Sequence, residues 1–169
     1  MVDPREFLKA ALQFHGHECP EMVLGLRAGA AAMNWLGVER SVEDQLLALV
    51  QFPEAPCFGD GVQAITGCTL GKGNVRLIGR GPLSLTLIER ATCRAVRVAP
   101  RGDPLPSRLP DEGVEVFVRR LLRAPEKQIL SVSAEFRYGA ASAIRPPSAP
   151  AEAIDGGLTA VKAGSPGEA

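Results

Sequence analysis

The hydrophobic period changes three times along this chain, and the order of those changes restricts the folds open to it. From Asp3 to Gln13 apolar residues recur at helical spacing, with Phe7, Leu8, Ala11 and Leu12 on one side and Pro4 suited to a first turn. After a break at residues 14–19, Pro20 opens a second helical stretch to about Leu36. Met22, Val23, Leu26, Ala30 and Met33 form its stripe and Gly37 ends it. From Asn74 the period drops to two. Leu83, Leu85 and Leu87 alternate with Ser84, Thr86 and Ile88, the Gly79–Pro82 turn precedes them, and Val96 and Val98 resume the rhythm, so residues 74–99 read as an antiparallel meander. Helical spacing returns at Val114, Phe117, Val118, Leu121 and Leu122, with Arg119, Arg120 and Arg123 near the C-terminal end of the dipole. Leu130, Val132, Ala134, Phe136 and Tyr138 then alternate as a last strand. This order predicts an α+β domain with helices packed on a mainly antiparallel sheet.

Other segments refine that outline. Leu46 to Phe52 reads as a buried strand, and residues 100–110 as a Pro-rich loop. Gly25 and Gly29, four apart in the second helix, leave a flat strip. Glycine costs about 1 kcal/mol against alanine there, which close packing of another backbone would offset. Beyond Gly139 the chain is Ala-, Pro- and Gly-rich without an aromatic residue. Too little apolar surface is available there to offset ordering entropy, so a folded domain over 1–138 and a disordered tail over 139–169 are expected.

Composition excludes some partners. The 169 residues are 46% apolar and 22% charged, with zero formal net charge, so no basic footprint for nucleic acid or for an anionic membrane surface exists. The first residues lack a signal-peptide pattern, and no apolar run approaches the roughly 20 residues of a bilayer span. A cytoplasmic location is expected, with the four cysteines serving as ligands, thiols or core residues rather than disulfides.

Both histidines of the chain fall in His15-Gly16-His17-Glu18-Cys19-Pro20. If 15–19 is extended, His15, His17 and Cys19 share a face, and two imidazoles with a thiolate suit zinc or another borderline metal. With Pro20 at the first helical position, Cys19 lies near the N-cap, where the dipole favours a thiolate. The plainer alternative is a small capping residue that packs inward.

A second group runs Cys57-Phe58-Gly59-Asp60-Gly61-Val62-Gln63, then Gly67 to Asn74. Asp60 and Gln63 have capping-box spacing, so a short helix from Asp60 to Gly67 is expected, flanked by Cys57 and Cys68. That path sets the two cysteines on the order of 10–16 Å apart, so one joins the histidine cluster and the other serves elsewhere. Gly67 to Gly73 fails the Walker pattern, because three residues rather than four precede Gly71-Lys72 and Gly73 follows. A glycine-rich turn is the default, with Lys72 available to an anion. Cys93 has no ligand partner nearby in sequence and reads as a small hydrophobe.

Phe14 to Pro20 with Gly25-Leu26-Arg27, followed by Cys57, Asp60, Gln63 and the run Thr66 to Asn74, resembles the two motifs of the FmdE family of formylmethanofuran dehydrogenase proteins, in the same order. The resemblance covers about residues 5 to 138. It implies an α+β domain, a homodimer, a bound metal that is commonly zinc (nickel or iron being alternatives), and a groove for a small molecule. It places His17, Cys19 and Cys57 first as ligands or catalytic groups. His15 is a further metal ligand, and Asp60, Gln63, Cys68 and Lys72 line the ligand side. Two departures stand out: the C-terminal zinc ribbon of many members is replaced by the Ala/Pro-rich tail, and Glu21 stands where glycine is frequent.

No cluster-binding cysteine array or pterin motif is present, so the chain reads as an accessory to a metalloenzyme complex rather than as the redox enzyme. The leading expectation is a metal-binding accessory protein of one-carbon or metallo-cofactor metabolism. The alternatives are a stand-alone metal- or Cys/His-dependent enzyme acting on a small molecule, and a structural dimeric module with a closed zinc site.

Overall fold

The computed structural model describes residues 1–137 except 53, 54, 79, 103–107, 134 and 135. The tail expected over 139–169 lies outside the described residues. Helix α1 (Pro4–His15) starts where the Asp3 carboxylate accepts from the Arg5 N–H at 2.9 Å, and stops at Gly16 with φ of 95°. Helix α2 (Pro20–Leu36) runs from an extended Cys19 to a left-handed Gly37. The sequence suggested a single apolar stripe on α2, but all except four of its 17 residues are buried. It is the central helix, and its alanines and glycines are the positions where neighbours press in.

Strand β1 (Leu46–Gln51) leads into α3 (Cys57–Thr66) and on to β2 (Val75–Ile78). β1 and β2 pair in parallel, Ala48 opposite Val75, with α3 as the crossover helix that parallel neighbours require. β3 (Ser84–Glu89) pairs antiparallel with β1 on its other side, and β4 (Arg94–Pro100) pairs antiparallel with β3. The meander expected over 74–99 therefore holds for β3 and β4 only. β1 lies between β2 and β3, because the α3 crossover brings β2 back alongside β1. Helix α4 (Val114–Arg123) and the single turn α5 (Glu126–Ile129) precede β5 (Leu130–Val132) and β6 (Phe136–Arg137). Both strands pair with β4 and fall within the last strand expected over 130–138, of which residues 134, 135 and 138 lie outside the described residues. The sheet order is β2-β1-β3-β4-β5 with β6 also on β4.

Alternation places Ala48, Val50, Leu85, Leu87, Val96 and Val98 against the helices. Leu47, Ile88 and Ala95 form a smaller cluster on the opposite face, with Leu49 and Cys93 packed beside it. Cys93 is thus the packing residue expected. Among the described residues no helix is long and apolar enough to cross a membrane.

Two features fix where the helix ends lie. A Cβ on Gly25 would strike the Phe58 carbonyl, and one on Gly61 would strike the Met22 carbonyl, so α2 and α3 touch backbone to backbone. The close approach expected at Gly25 is therefore present, while Gly29 faces the Ile65 side chain. Arg27, 8% exposed, donates from Nη1 to the carbonyls of Leu121 (2.7 Å) and Leu122 (2.8 Å) and from Nη2 to that of Ala124 (2.7 Å). It satisfies carbonyls that the end of α4 leaves without helical partners.

Candidate metal centre

The C-terminus of α1 and the N-termini of α2 and α3 converge, and each contributes side chains at its last or first turn. His15 is the final residue of α1, not part of an extended segment. The left-handed Gly16 then turns the chain, so His17 and the N-cap Cys19 come back beside His15. One ligand atom from each of His15, His17 and Cys19 lies within 4.8 Å of the other two. The expected trio forms by a turn rather than by strand alternation. The two imidazole rings are 4.4 Å apart, centre to centre.

Asp60 orients His15. The helix begins at Cys57, three residues before the start expected at Asp60, so Asp60 sits in the first turn and its side chain is free of capping duty. Its Oδ2 accepts from His15 Nδ1 at 2.8 Å, and the His15 side chain is only 7% exposed. A carboxylate accepts and cannot donate, so in the neutral imidazole the hydrogen is on Nδ1 and Nε2 presents a lone pair. That Nε2 is buried and has no hydrogen-bond partner among the described residues. A buried imidazole nitrogen, oriented by a carboxylate on its far side and left without a partner, has the geometry of a metal ligand. Gln63 extends the arrangement: its Nε2 donates to Asp60 Oδ1 at 3.4 Å while its Oε1 accepts from the Leu70 N–H at 3.1 Å. Capping-box spacing pointed to a local role for Asp60 instead. A signal for the longer reach exists in the sequence, since Asp60 is the one carboxylate among the second-motif residues.

Cys57 opens α3 and joins Cys19 and Glu21 in a second triad, again with ligand atoms within 4.8 Å of one another. Cys19 is common to both triads, so the four proposed ligands His15, His17, Cys19 and Cys57 do not form one mutually close set. Burial, then the neighbouring Cys19 thiol and the Glu21 carboxylate, push the Cys57 thiol above its ordinary range. Without a cation, Cys57 is therefore held as a thiol, which speaks against an activated thiolate there. Glu21, which stands where the family often has glycine, brings a carboxylate oxygen to this triad. Glu18 Oε2 is also buried and without a partner among the described residues, yet belongs to neither triad.

The remaining second-motif residues lie elsewhere. Cys68 is fully buried beyond the C-terminal end of α3, and burial raises its thiol. With α3 between them, it is roughly 15 Å along the chain path from Cys57. Lys72 Nζ donates to the carbonyls of Ser41 (3.1 Å) and Val42 (3.0 Å). The Asn74 amide donates to the Glu43 carbonyl at 3.0 Å, and its Oδ1 accepts from the Thr69 N–H at 2.8 Å. Lys72 and Asn74 thus clasp the loop after α3 to the segment before β1. Neither Cys68 nor Lys72 is brought to the triads.

Residues 14–136 match the family described as FmdE, Molybdenum formylmethanofuran dehydrogenase operon. A probable S-adenosyl-L-methionine-binding protein of Archaeoglobus fulgidus is 37% identical over 120 residues, which is 69% of this chain and 32% of that protein. The chain thus spans about a third of the length of that curated relative. The crystal structure of a tungsten formylmethanofuran dehydrogenase FmdE-like protein from Syntrophus aciditrophicus has a similar fold, with a TM-score of 0.59 at 20% identity, over 80% of this chain and 72% of that one.

Proposed function

Because the chain belongs to the FmdE family, we propose that it is a metal-binding accessory protein of one-carbon or metallo-cofactor metabolism, associated with a formylmethanofuran dehydrogenase-type enzyme. His15, His17 and Cys19 hold a divalent transition metal, zinc before nickel or iron, and the protein works as a homodimer. The observation that carries this reading is His15 Nε2, buried without a partner while Asp60 holds Nδ1. Borderline metals favour such an imidazole and thiolate donor set.

His17 is exposed, so the ion is reachable from solvent. Three protein donors leave a fourth position for water, a small molecule or a partner's side chain, which favours an exchangeable site over a closed structural one. When bound, the metal supplies a Lewis acid at that position. The protein's part is to orient His15 through Asp60 and Gln63, and to hold the Cys19 sulfur at the positive end of α2. The S-adenosyl-L-methionine of the curated relative is not carried over, since the match leaves two thirds of that protein uncovered.

Elemental analysis of the purified protein, before and after reconstitution with zinc, nickel and iron, tests the reading. At least one ion per chain is expected, lost in Cys19→Ala and weakened in His15→Ala, with a chelator lowering the thermal midpoint of the wild type. A wild type that retains no ion after reconstitution would sink the proposal.

A further inference from the structure

Two triads meet at one sulfur. Three donor atoms no more than 4.8 Å apart all lie within about 2.8 Å of some common point, so modest side-chain adjustment brings them to the roughly 2.0–2.3 Å of metal bonds. His15, His17 and Cys19 meet that condition, and so do Cys19, Glu21 and Cys57. The donors of the two triads taken together do not, because they fall into separate groups. A tetrahedral ion has four positions, fewer than the five donors His15, His17, Cys19, Glu21 and Cys57, so one such ion cannot take both sets.

We propose that the protein holds two metal ions bridged by the Cys19 thiolate, one on His15 and His17 and the other on Glu21 and Cys57. This rests on the metal-binding reading above and extends it from one ion to two. Thiolate sulfur has lone pairs enough to bind two ions, and Cys19 is the residue that both triads share.

With both ions in place, the Cys19 and Cys57 thiolates and the Glu21 and Asp60 carboxylates balance their charge, each ion displacing the proton of the thiol it binds. Three protein donors on each ion would leave a fourth position on both, and the class of ligand that could span the pair is an anion with two donor atoms, such as a carboxylate. The second ion also joins the start of α2 to the start of α3, which the first does not.

Stoichiometry separates the outcomes. Apo-protein titrated with cobalt(II) under anaerobic conditions is expected to take up two equivalents per chain, with thiolate-to-metal charge-transfer absorption growing through both. The electron paramagnetic resonance intensity should fall below the sum of two isolated ions as the bridge couples them. Cys57→Ser and Glu21→Gln should each reduce uptake to one equivalent and restore an uncoupled signal, while Cys19→Ala abolishes high-affinity binding. If Cys57→Ser binds none, Glu21→Gln, which preserves side-chain size, decides. Uptake of one equivalent by the wild type overturns the second site and leaves the first intact. Two equivalents retained in both variants, or two without coupling, also overturn it. Uptake of none overturns this inference and the metal-binding reading together.

Discussion

Gly61→Ala tests how the centre is assembled. A Cβ at this position would meet the Met22 carbonyl and the Leu26 nitrogen, both nearer than 3.0 Å. Both neighbours are backbone of the packed helix α2 and cannot rotate aside. Overpacking of this kind costs typically 1–3 kcal/mol, and the rigidity of the neighbours places it at the upper end. Alanine recovers about 1 kcal/mol of helix propensity, so a net loss of about 2 kcal/mol is expected. For a domain of this size that is a fall of roughly 4–8 °C in thermal midpoint. The helices should part, and since Cys19 and Cys57 open α2 and α3, affinity for the proposed second ion should fall as well. Urea unfolding of the apo-protein gives the stability term, and competition with a chromogenic chelator gives the affinity. Gly71→Ala is the control: nothing lies within 4 Å of its Cβ, and it should stay within about 0.5 kcal/mol of wild type. A Gly61→Ala protein as stable as the wild type would refute the argument that backbone contact sets the spacing of the helices.

Asp60→Asn keeps the shape beside His15 but removes the charge. Metal binding should weaken by about 10–100-fold with the fold intact, and unchanged affinity in a competition titration would count against the orienting role. Arg27→Lys replaces a guanidinium bonded to three carbonyls with a single ammonium, so at least one charge-assisted bond is lost, at about 1.5–3 kcal/mol. Denaturant unfolding would read that loss, and an Arg27→Lys protein of unchanged stability would remove Arg27 as the cap of α4. Glu112 is held down to about 2 chiefly by the hydrogen-bonded Arg120, with the Leu109 N–H adding to it. Its folded value lies below its unfolded one, so its contribution is complete above the usual glutamate range and is lost as pH falls toward 2. Glu112→Gln should therefore flatten the acid limb of the stability profile below about pH 4.5. An unaltered limb in pH-dependent unfolding would exclude the pair as a contributor.

Local chemistry was legible in the sequence wherever a single element decided it. The start of α1 at Pro4 and the ends of α2 and α3 at Gly37 and Gly67 follow from proline and left-handed glycine preferences that need no tertiary partner. The trio of His15, His17 and Cys19 was legible because proximity in sequence forces proximity in space. Strand alternation is not what aligns it, since helix α1 continues through His15 and Gly16 makes the turn. Strand order was illegible: hydrophobic alternation identifies β2 and β3 equally well but carries no information on the neighbour each will take. The role of Asp60 was hidden for a related reason. Capping-box spacing with Gln63 offered a local use, and the actual partner, His15, lies 45 residues away. Arg27 was visible only as part of a motif, because the carbonyls it caps belong to an element almost a hundred residues further on.

In the two-ion arrangement proposed above, helix contact and metal binding act on the same pair of elements, and their effects should not add. Cys19 and Cys57 stand at the starts of α2 and α3, and Gly25 and Gly61 bring the two backbones together about one turn further in. An ion that ties the two sulfurs restrains the same separation that the glycines permit. In Gly61→Ala the strain can be relieved by parting the helices, but only if no ion opposes that movement. The loss of stability caused by the substitution should therefore be larger in the metal-loaded protein, where relief costs either strain or metal contacts, than in the apo-protein. Independent sites would add to within about 0.3–0.5 kcal/mol. Unfolding of wild type and Gly61→Ala, each with saturating metal and with chelator, closes this cycle. A coupling within that limit would mean that the metal is held by α1 and the start of α2 alone, and that α3 contributes orientation through Asp60 without sharing the load.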